Sequence, residues 1–93
     1  MASIPPQTAT LANVASSASS VTLFAASGTA KARTIFNDST SVLYVKFGAT
    51  ASTSSYTVQL ASNAYYEFPQ PAYAGVVDGI WASANGNARV TSW

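Results

Sequence analysis

The stretch Arg33 to Gly48 constrains the fold most, because it sets two runs of β-branched and aromatic residues on either side of the turn-forming cluster Asn37-Asp38-Ser39-Thr40-Ser41. Ile35-Phe36 and Val42-Leu43-Tyr44-Val45 are residue types that fit a pleated, half-buried surface, whereas Asn, Asp and Ser bond their own backbone and bend it. The pattern predicts a β-hairpin ended by Gly48. On its second strand the two-residue period puts Leu43, Val45 and Phe47 on one face, the expected core, and Val42, Tyr44 and Lys46 on the other.

The rest of the chain repeats this grammar. Val21 to Ala25 reads as a strand with Val21 and Leu23 on one side and Thr22 and Phe24 on the other, ended by Ser27-Gly28-Thr29, and Ala30 to Phe36 leads into the central stretch. Tyr56-Thr57-Val58-Gln59-Leu60 alternates cleanly, with Tyr56, Val58 and Leu60 expected inward. Tyr65 to Phe68 is a strand that Pro69 and Pro71 confine to an edge or corner, so the connection after it should cross between sheets. Asn85-Gly86 is the strongest short-range hairpin signal in the chain and asks for a two-residue turn. That turn would pair Ala84 with Asn87, Ser83 with Ala88, Ala82 with Arg89, Trp81 with Val90 and Ile80 with Thr91. Trp81 and Val90 would then share a face, and Gly79 would let a backbone or the Trp81 ring approach closely.

Before Val21 the grammar stops. Residues 1–20 are rich in Ala, Ser and Thr, carry no charge and contain Pro5 and Pro6. Thr10 to Ala18 has room for a helical turn or two, but a helix that short is marginal in water. The expected organisation is therefore an extended, low-complexity N-terminal arm over 1–20 and one β-domain over 21–93. The fold class is all-β, a compact antiparallel sandwich or barrel of about seven short strands.

Composition limits what such a domain does. With 93 residues it buries only about 60–65% of the surface its unfolded chain would expose, and with no cysteine it has no disulfide to compensate. Without Cys or His, zinc, copper and haem lack their usual ligands, so no metal or cofactor is expected. Charged residues are 8% of the chain and the net charge is +1, too little to neutralise a row of phosphates, which argues against nucleic acid. The first basic residue is Lys31 and no apolar run reaches membrane-spanning length, so neither a leader nor a membrane segment is expected and synthesis is expected in the cytoplasm. Weak charge beside 48% hydrophobic residues leaves two readings: surface meant to be covered, by a partner or by further copies of the chain, or a surface solvated by Ser, Thr and Asn instead of charges.

The chain carries few parts for chemistry. General base catalysis would fall to Asp38, Glu67 or Asp78, or to a desolvated lysine, and a glycosidase-type pair would need two carboxylates within about 5–9.5 Å. Nothing in their spacing brings that about, and no enzyme is expected. Asn37-Asp38-Ser39 matches the N-glycosylation sequon without a secretory signal. Tyr56, Tyr65, Tyr66, Tyr73, Trp81 and Trp93 would make a sugar-stacking platform if they met on one surface; core and interface duty is the commoner use of such residues. Lys31, Arg33, Lys46 and Arg89 would make a basic patch if they converged. No catalytic, cofactor, metal or nucleic-acid residue is assigned.

The segment from Arg33 to Thr91 resembles small structural proteins of tailed bacteriophages, of the capsid decoration, cement or head-fibre kind. The features that carry the likeness are Ile35-Phe36-Asn37-Asp38-Ser39-Thr40, Leu43-Tyr44-Val45-Lys46-Phe47-Gly48-Ala49, Tyr56-Thr57-Val58-Gln59-Leu60, Tyr65-Tyr66-Glu67, Gly79-Ile80-Trp81-Ala82 and Asn85-Gly86-Asn87-Ala88-Arg89-Val90-Thr91. They are a fold grammar without a catalytic set. The resemblance implies a non-enzymatic protein of the virion that attaches to the assembled capsid and strengthens contacts between coat subunits. It also implies the major capsid protein or another virion protein as partner and a homo-oligomer, expected as a trimer. A tail or fibre component is the alternative, and a carbohydrate-binding β-sandwich module a more distant one.

Overall fold

The computed structural model describes residues 7–93, and among them every regular element is a β-strand. The strands are β1 (Thr10–Ala15), β2 (Val21–Phe24), β3 (Arg33–Asp38), β4 (Leu43–Phe47), β5 (Val58–Leu60), β6 (Tyr65–Glu67), β7 (Val77–Trp81) and β8 (Asn87–Ser92). They form two four-stranded antiparallel sheets, sheet A in the order β1-β8-β3-β6 and sheet B in the order β2-β7-β4-β5. First strand pairs with last, second with seventh, third with sixth, fourth with fifth. This nested pairing is the wiring of a jelly roll, and of the consecutive strands only β4 and β5 are neighbours in one sheet.

The core lies between the sheets. Ile35, Ala88 and Val90 of sheet A meet Leu23, Leu43, Val45, Leu60, Val77 and Trp81 of sheet B, with Phe24 and Phe68 closing one end. Leu43 and Val45 are fully buried and Phe47 half-buried, as the two-residue period predicts. Phe47 is stacked between Phe68 and Tyr73, with ring centroids at 4.8 and 4.9 Å, and Phe24 meets Phe68 edge to face at 5.6 Å. Gly79 lies under two side chains: a Cβ there would sit 2.8 Å from Leu23 Cδ1 and 3.1 Å from Leu43 Cδ1. The close neighbours are thus leucine methyls rather than a backbone or the Trp81 ring.

Several expectations are corrected. Residues 33–48 are not a hairpin, because β3 belongs to sheet A and β4 to sheet B, and the Asn37 to Ser41 turn carries the chain across the sandwich. The same holds for Asn85-Gly86. Gly86 has φ +73° and so takes the left-handed conformation such a turn needs, but β7 pairs with β2 and β4 while β8 pairs with β1 and β3. Trp81 N–H donates to the Ser17 carbonyl and Ala82 N–H to the Val42 carbonyl, so the residues assigned to a β7–β8 ladder are bonded elsewhere. Trp81 and Val90 do share the core, but from opposite sheets. Asn85-Gly86 specifies a chain reversal, and the two ladders that each strand makes in its own sheet decide where β7 and β8 lie.

Thr10–Ala15, expected within an arm, is a strand of the sandwich. Residues 1–6 lie outside the described part of the chain, but Thr10–Ala15 pairs residue for residue with Ser92–Asn87 as the edge of sheet A. The sandwich therefore begins near Thr10 rather than at Val21, and it has eight strands rather than seven. Short helical turns lose to a neighbour that satisfies half of the strand's backbone groups. In β2 the register shifts between Thr22 and Phe24, and this bulge turns Leu23 and Phe24 both inward, where strict alternation would have separated them. Tyr56 precedes β5 and lies outside, its ring 5.0 Å from that of Tyr44 on the outer face of sheet B.

Pro69 and Pro71 act as expected. β6 is an edge strand of sheet A, and the segment after it crosses to sheet B.

Candidate functional site

β3 holds the two ends of the sandwich together through polar side chains that point inward on either side of Ile35. At one end Asn37 is fully buried. Its two amide hydrogens are shared among the carbonyls of Ser41, Leu60 and Ala61 at 2.8, 3.0 and 3.1 Å. Its Oδ1 accepts from Ser39 Oγ at 2.7 Å and from Trp81 Nε1 at 3.2 Å. One side chain thus ties β3 to the approach to β4, the end of β5 and the end of β7. With the Nδ2 atom so engaged, the sequon is closed to a glycan in the folded protein.

At the other end Arg33 is 1% exposed. Its guanidinium donates to the carbonyls of Tyr73, Gly75 and Ala25 at 2.9, 2.7 and 2.8 Å and lies over the Phe24 ring at 4.8 Å. Burial lowers its pKa from the ordinary arginine value, partly opposed by Tyr73. The carbonyl cradle and the ring face offset much of the cost of burying that charge without a carboxylate, while Nε is left without a partner. Arg33 is therefore a clamp on the 73–75 segment and not part of a basic patch. Lys46 lies on sheet B, bonded to the Thr50 carbonyl and Ser55 Oγ, and Arg89 lies on sheet A, so the patch does not form.

The carboxylates are likewise separated. Alternation turns Asp38 and Glu67 to the outer face of sheet A, but Glu67 sits opposite Thr34, four residues along β3 from Asp38. At about 3.4 Å per residue that is roughly 14 Å, beyond a glycosidase pair. Asp38 is bonded to Arg89 Nε at 2.8 Å. Asp78 belongs to the other sheet and is buried, with Ser20 Oγ at 3.4 Å from its Oδ2. No cluster of three acidic, His or Cys side chains exists among the described residues to hold a metal ion.

A depression of about 370 Å³ lies beside the Asn37 end, lined by Asp38, Ser39, Thr40, Ser62, Asn63, Asn85 and Gly86. Several of its polar groups are already partnered. Thr40 N and Oγ1 both donate to Asn85 Oδ1 at 2.8 Å, Ser62 Oγ donates to the Ser39 carbonyl at 2.6 Å, and Asn63 N–H donates to the Asn37 carbonyl at 2.9 Å. These bonds stabilise the turns that form the lining.

What stands open is the outer face of sheet A. The register lines up Asn13, Arg89, Phe36 and Tyr65 in one row across all four strands, with Leu11, Thr91, Thr34 and Glu67 in the next. Leu11 is 74% exposed and Tyr65 61%, with Phe36 half-buried between them. Arg89 is held in place by Asp38 and also donates to Asn13 Oδ1 at 3.2 Å, so the central charge of the face is internally neutralised. The expected sugar platform is not assembled: Trp81 is in the core, Tyr73 is stacked on Phe47, and Tyr56 and Tyr65 lie on different sheets. The alternation that places Ile35 inward also places Arg33 and Asn37 inward. This was the sequence signal for both clamps.

No family model, curated protein or solved structure matches the chain.

Proposed function

We propose that the chain is a non-enzymatic structural protein of a virion, one that binds the assembled capsid as a decoration or cement protein and uses the outer face of sheet A to cover part of the coat surface. The observation that carries this reading is the exposed Tyr65 next to half-buried Phe36, with the exposed Leu11 at the opposite edge of the same face, whose one arginine is paired within the face. A face that sets exposed Leu and Tyr side chains among polar ones, with its arginine already paired, is one that a protein partner can cover. The jelly-roll wiring adds support by analogy only, since that architecture recurs in capsid and lectin domains and a fold does not dictate a function. The resemblance of residues 33–91 to small phage structural proteins points the same way.

Removing the first 18 residues would take away β1, so truncation would test folding rather than attachment. The informative change is Tyr65→Lys, on a short edge strand where a lysine is tolerated. Purified chain is cosedimented with capsid shells that have been stripped of it. Saturable binding is expected, with affinity reduced about 30-fold in the variant if Tyr65 is an anchor contributing about 2 kcal/mol. Wild-type chain that never sediments with the shell refutes the reading. Cryo-electron microscopy of the native particle places the chain: density on the coat lattice is expected, and density confined to the tail would transfer the role to a tail or fibre component.

A further inference from the structure

β1 exposes an edge that the fold leaves ready to pair. Ser16 N–H donates to the Gly86 carbonyl, which continues the β1–β8 register, and the alternation of an antiparallel ladder then turns the backbone groups of Thr10, Ala12 and Val14 toward β8. Leu11, Asn13 and Ala15 direct their N–H and C=O groups the other way, along the open edge, where no described residue pairs with them. The other three edges are blunted. β5 and β6 have three residues each, β6 carries Glu67 and is followed by Pro69 and Pro71, and β2 is bulged. β1 has six residues, and from Gln7 to Ser20 there is no proline, glycine or charge. Long, neutral, unprotected edges are the ones that accept another strand.

We propose that the strand it accepts is β1 of a second copy, paired antiparallel about a two-fold axis at Asn13 so that two sheets A join into one eight-stranded sheet. The register follows from the hydrogen bonds. A two-fold axis that keeps both outer faces on one side must pair residues of the same alternation class. Centred on Asn13, it sets Asn13 against Asn13 and Leu11 against Ala15 in both directions. All three outward N–H groups and all three outward C=O groups of each chain are then used, which makes six hydrogen bonds across the junction. On the outer face the large Leu11 meets the small Ala15, and on the inner face Ala12 meets Val14. Two-fold pairing sets like residues near like, which a charged edge would resist and this one does not. The pairing is independent of the virion reading, because it asks nothing of the outer face beyond the strand itself.

The test is the mass of the full chain by sedimentation equilibrium, with three single substitutions. Wild type is expected at twice the single-chain mass. Asn13→Pro removes the central outward N–H, which β8 does not use, and is expected to return the single-chain mass while the far-ultraviolet spectrum stays that of a β-protein. Asn13→Cys introduces the chain's one cysteine at the axis. Cα atoms of a hydrogen-bonded antiparallel pair lie about 5.5 Å apart, within disulfide reach, so oxidation is expected to cross-link it. Leu11→Cys places its two thiols roughly 14 Å apart and is expected not to cross-link. A single-chain or three-chain mass for wild type, or equal cross-linking of the two cysteine variants, overturns the proposal. The three-chain result would instead be the trimer expected from the sequence.

Discussion

Replacing Asn37 by aspartate changes one buried NH₂ group to oxygen and leaves the volume untouched, so its cost isolates hydrogen bonding from packing. In the native protein that NH₂ faces three carbonyl oxygens at 2.8 to 3.1 Å. A protonated aspartic acid has one O–H and can serve one of them well, leaving at least one buried carbonyl short of a partner. That costs about 1–3 kcal/mol even in acid. An ionised carboxylate is worse, since it points an anionic oxygen at three negative dipoles in the core, and the two bonds from Ser39 Oγ and Trp81 Nε1 to the other oxygen offset only part of this. The new carboxyl therefore has a folded pKa above its unfolded value of about 3.9. The sign follows: the neutral form is the one the fold accepts, the variant's deficit is smallest below pH 4, and it grows as pH rises toward the folded pKa by about 1.4 kcal/mol for each unit of elevation. Urea unfolding of both proteins, followed by tryptophan fluorescence between pH 3.5 and 7.5, gives the difference at each pH. A deficit at pH 7 of less than about 1 kcal/mol, or one that shrinks as pH rises, would refute the role given to Asn37.

Other substitutions test the remaining pieces. Arg33→Lys keeps the charge but cannot span three carbonyls, and it is expected to lower stability by at least about 2 kcal/mol in the same urea assay; an unchanged midpoint would mean that the cradle is incidental. Gly79→Ala presses a methyl onto the Leu23 and Leu43 side chains and is expected to cost about 1–3 kcal/mol. Gly86→Ala is expected to cost more than Gly79→Ala, because φ is +73° there and the added carbon meets the Asp38 carbonyl and the Ser39 backbone instead of side chains that can shift. Asp38→Asn breaks the ion pair with Arg89, whose side chains are 55% and 39% exposed, and thermal unfolding is expected to register no more than about 0.5 kcal/mol.

Strands from Val21 onward were legible in the sequence, β1 was not, and the partners of all of them were not. The two-residue period of Leu43, Val45 and Phe47, the stop at Gly48 and the corner at Pro69 are local facts, written by the residues that obey them. Pairing in a nested roll is non-local: β1 finds its neighbour at the far end of the chain, and β3 finds β8 and β6 rather than β4. A turn sequence such as Asn85-Gly86 says that the chain reverses there, but the same reversal serves a hairpin in one sheet and a crossing between two. Asn37 shows how a local reading also hides a role. Beside Asp38 and Ser39 it has the look of a turn former, yet it is the last inward position of β3, and its amide joins parts of four strands or their approaches. The open face of sheet A could not be read beforehand because Leu11 reaches that face only through the β1–β8 pairing.

That pairing carries the deeper physical point. β8 is the central strand on which sheet A depends, flanked by β3 on one side and β1 on the other. Without β1 the backbone groups of Ala88, Val90 and Ser92 that face it would lie open at the edge of a buried core. β1 covers them, but its inner-face residues Thr10 and Ala12 are themselves exposed, so it adds hydrogen bonds to the sheet with little hydrophobic burial of its own. A strand held mainly by one ladder is weakly held, because each such bond contributes only about 0.5–1.5 kcal/mol net and each ordered residue costs about as much in backbone entropy. A second ladder on its free side changes this balance at no further entropic cost to residues already extended. The pairing of two β1 edges would thus stabilise the strand that completes each sandwich, and the fold and its association become one equilibrium. Unfolding of wild type should then move to higher urea as chain concentration rises, whereas Asn13→Pro should show no such shift. Identical concentration dependence in the two proteins would separate the edge from the stability of the fold.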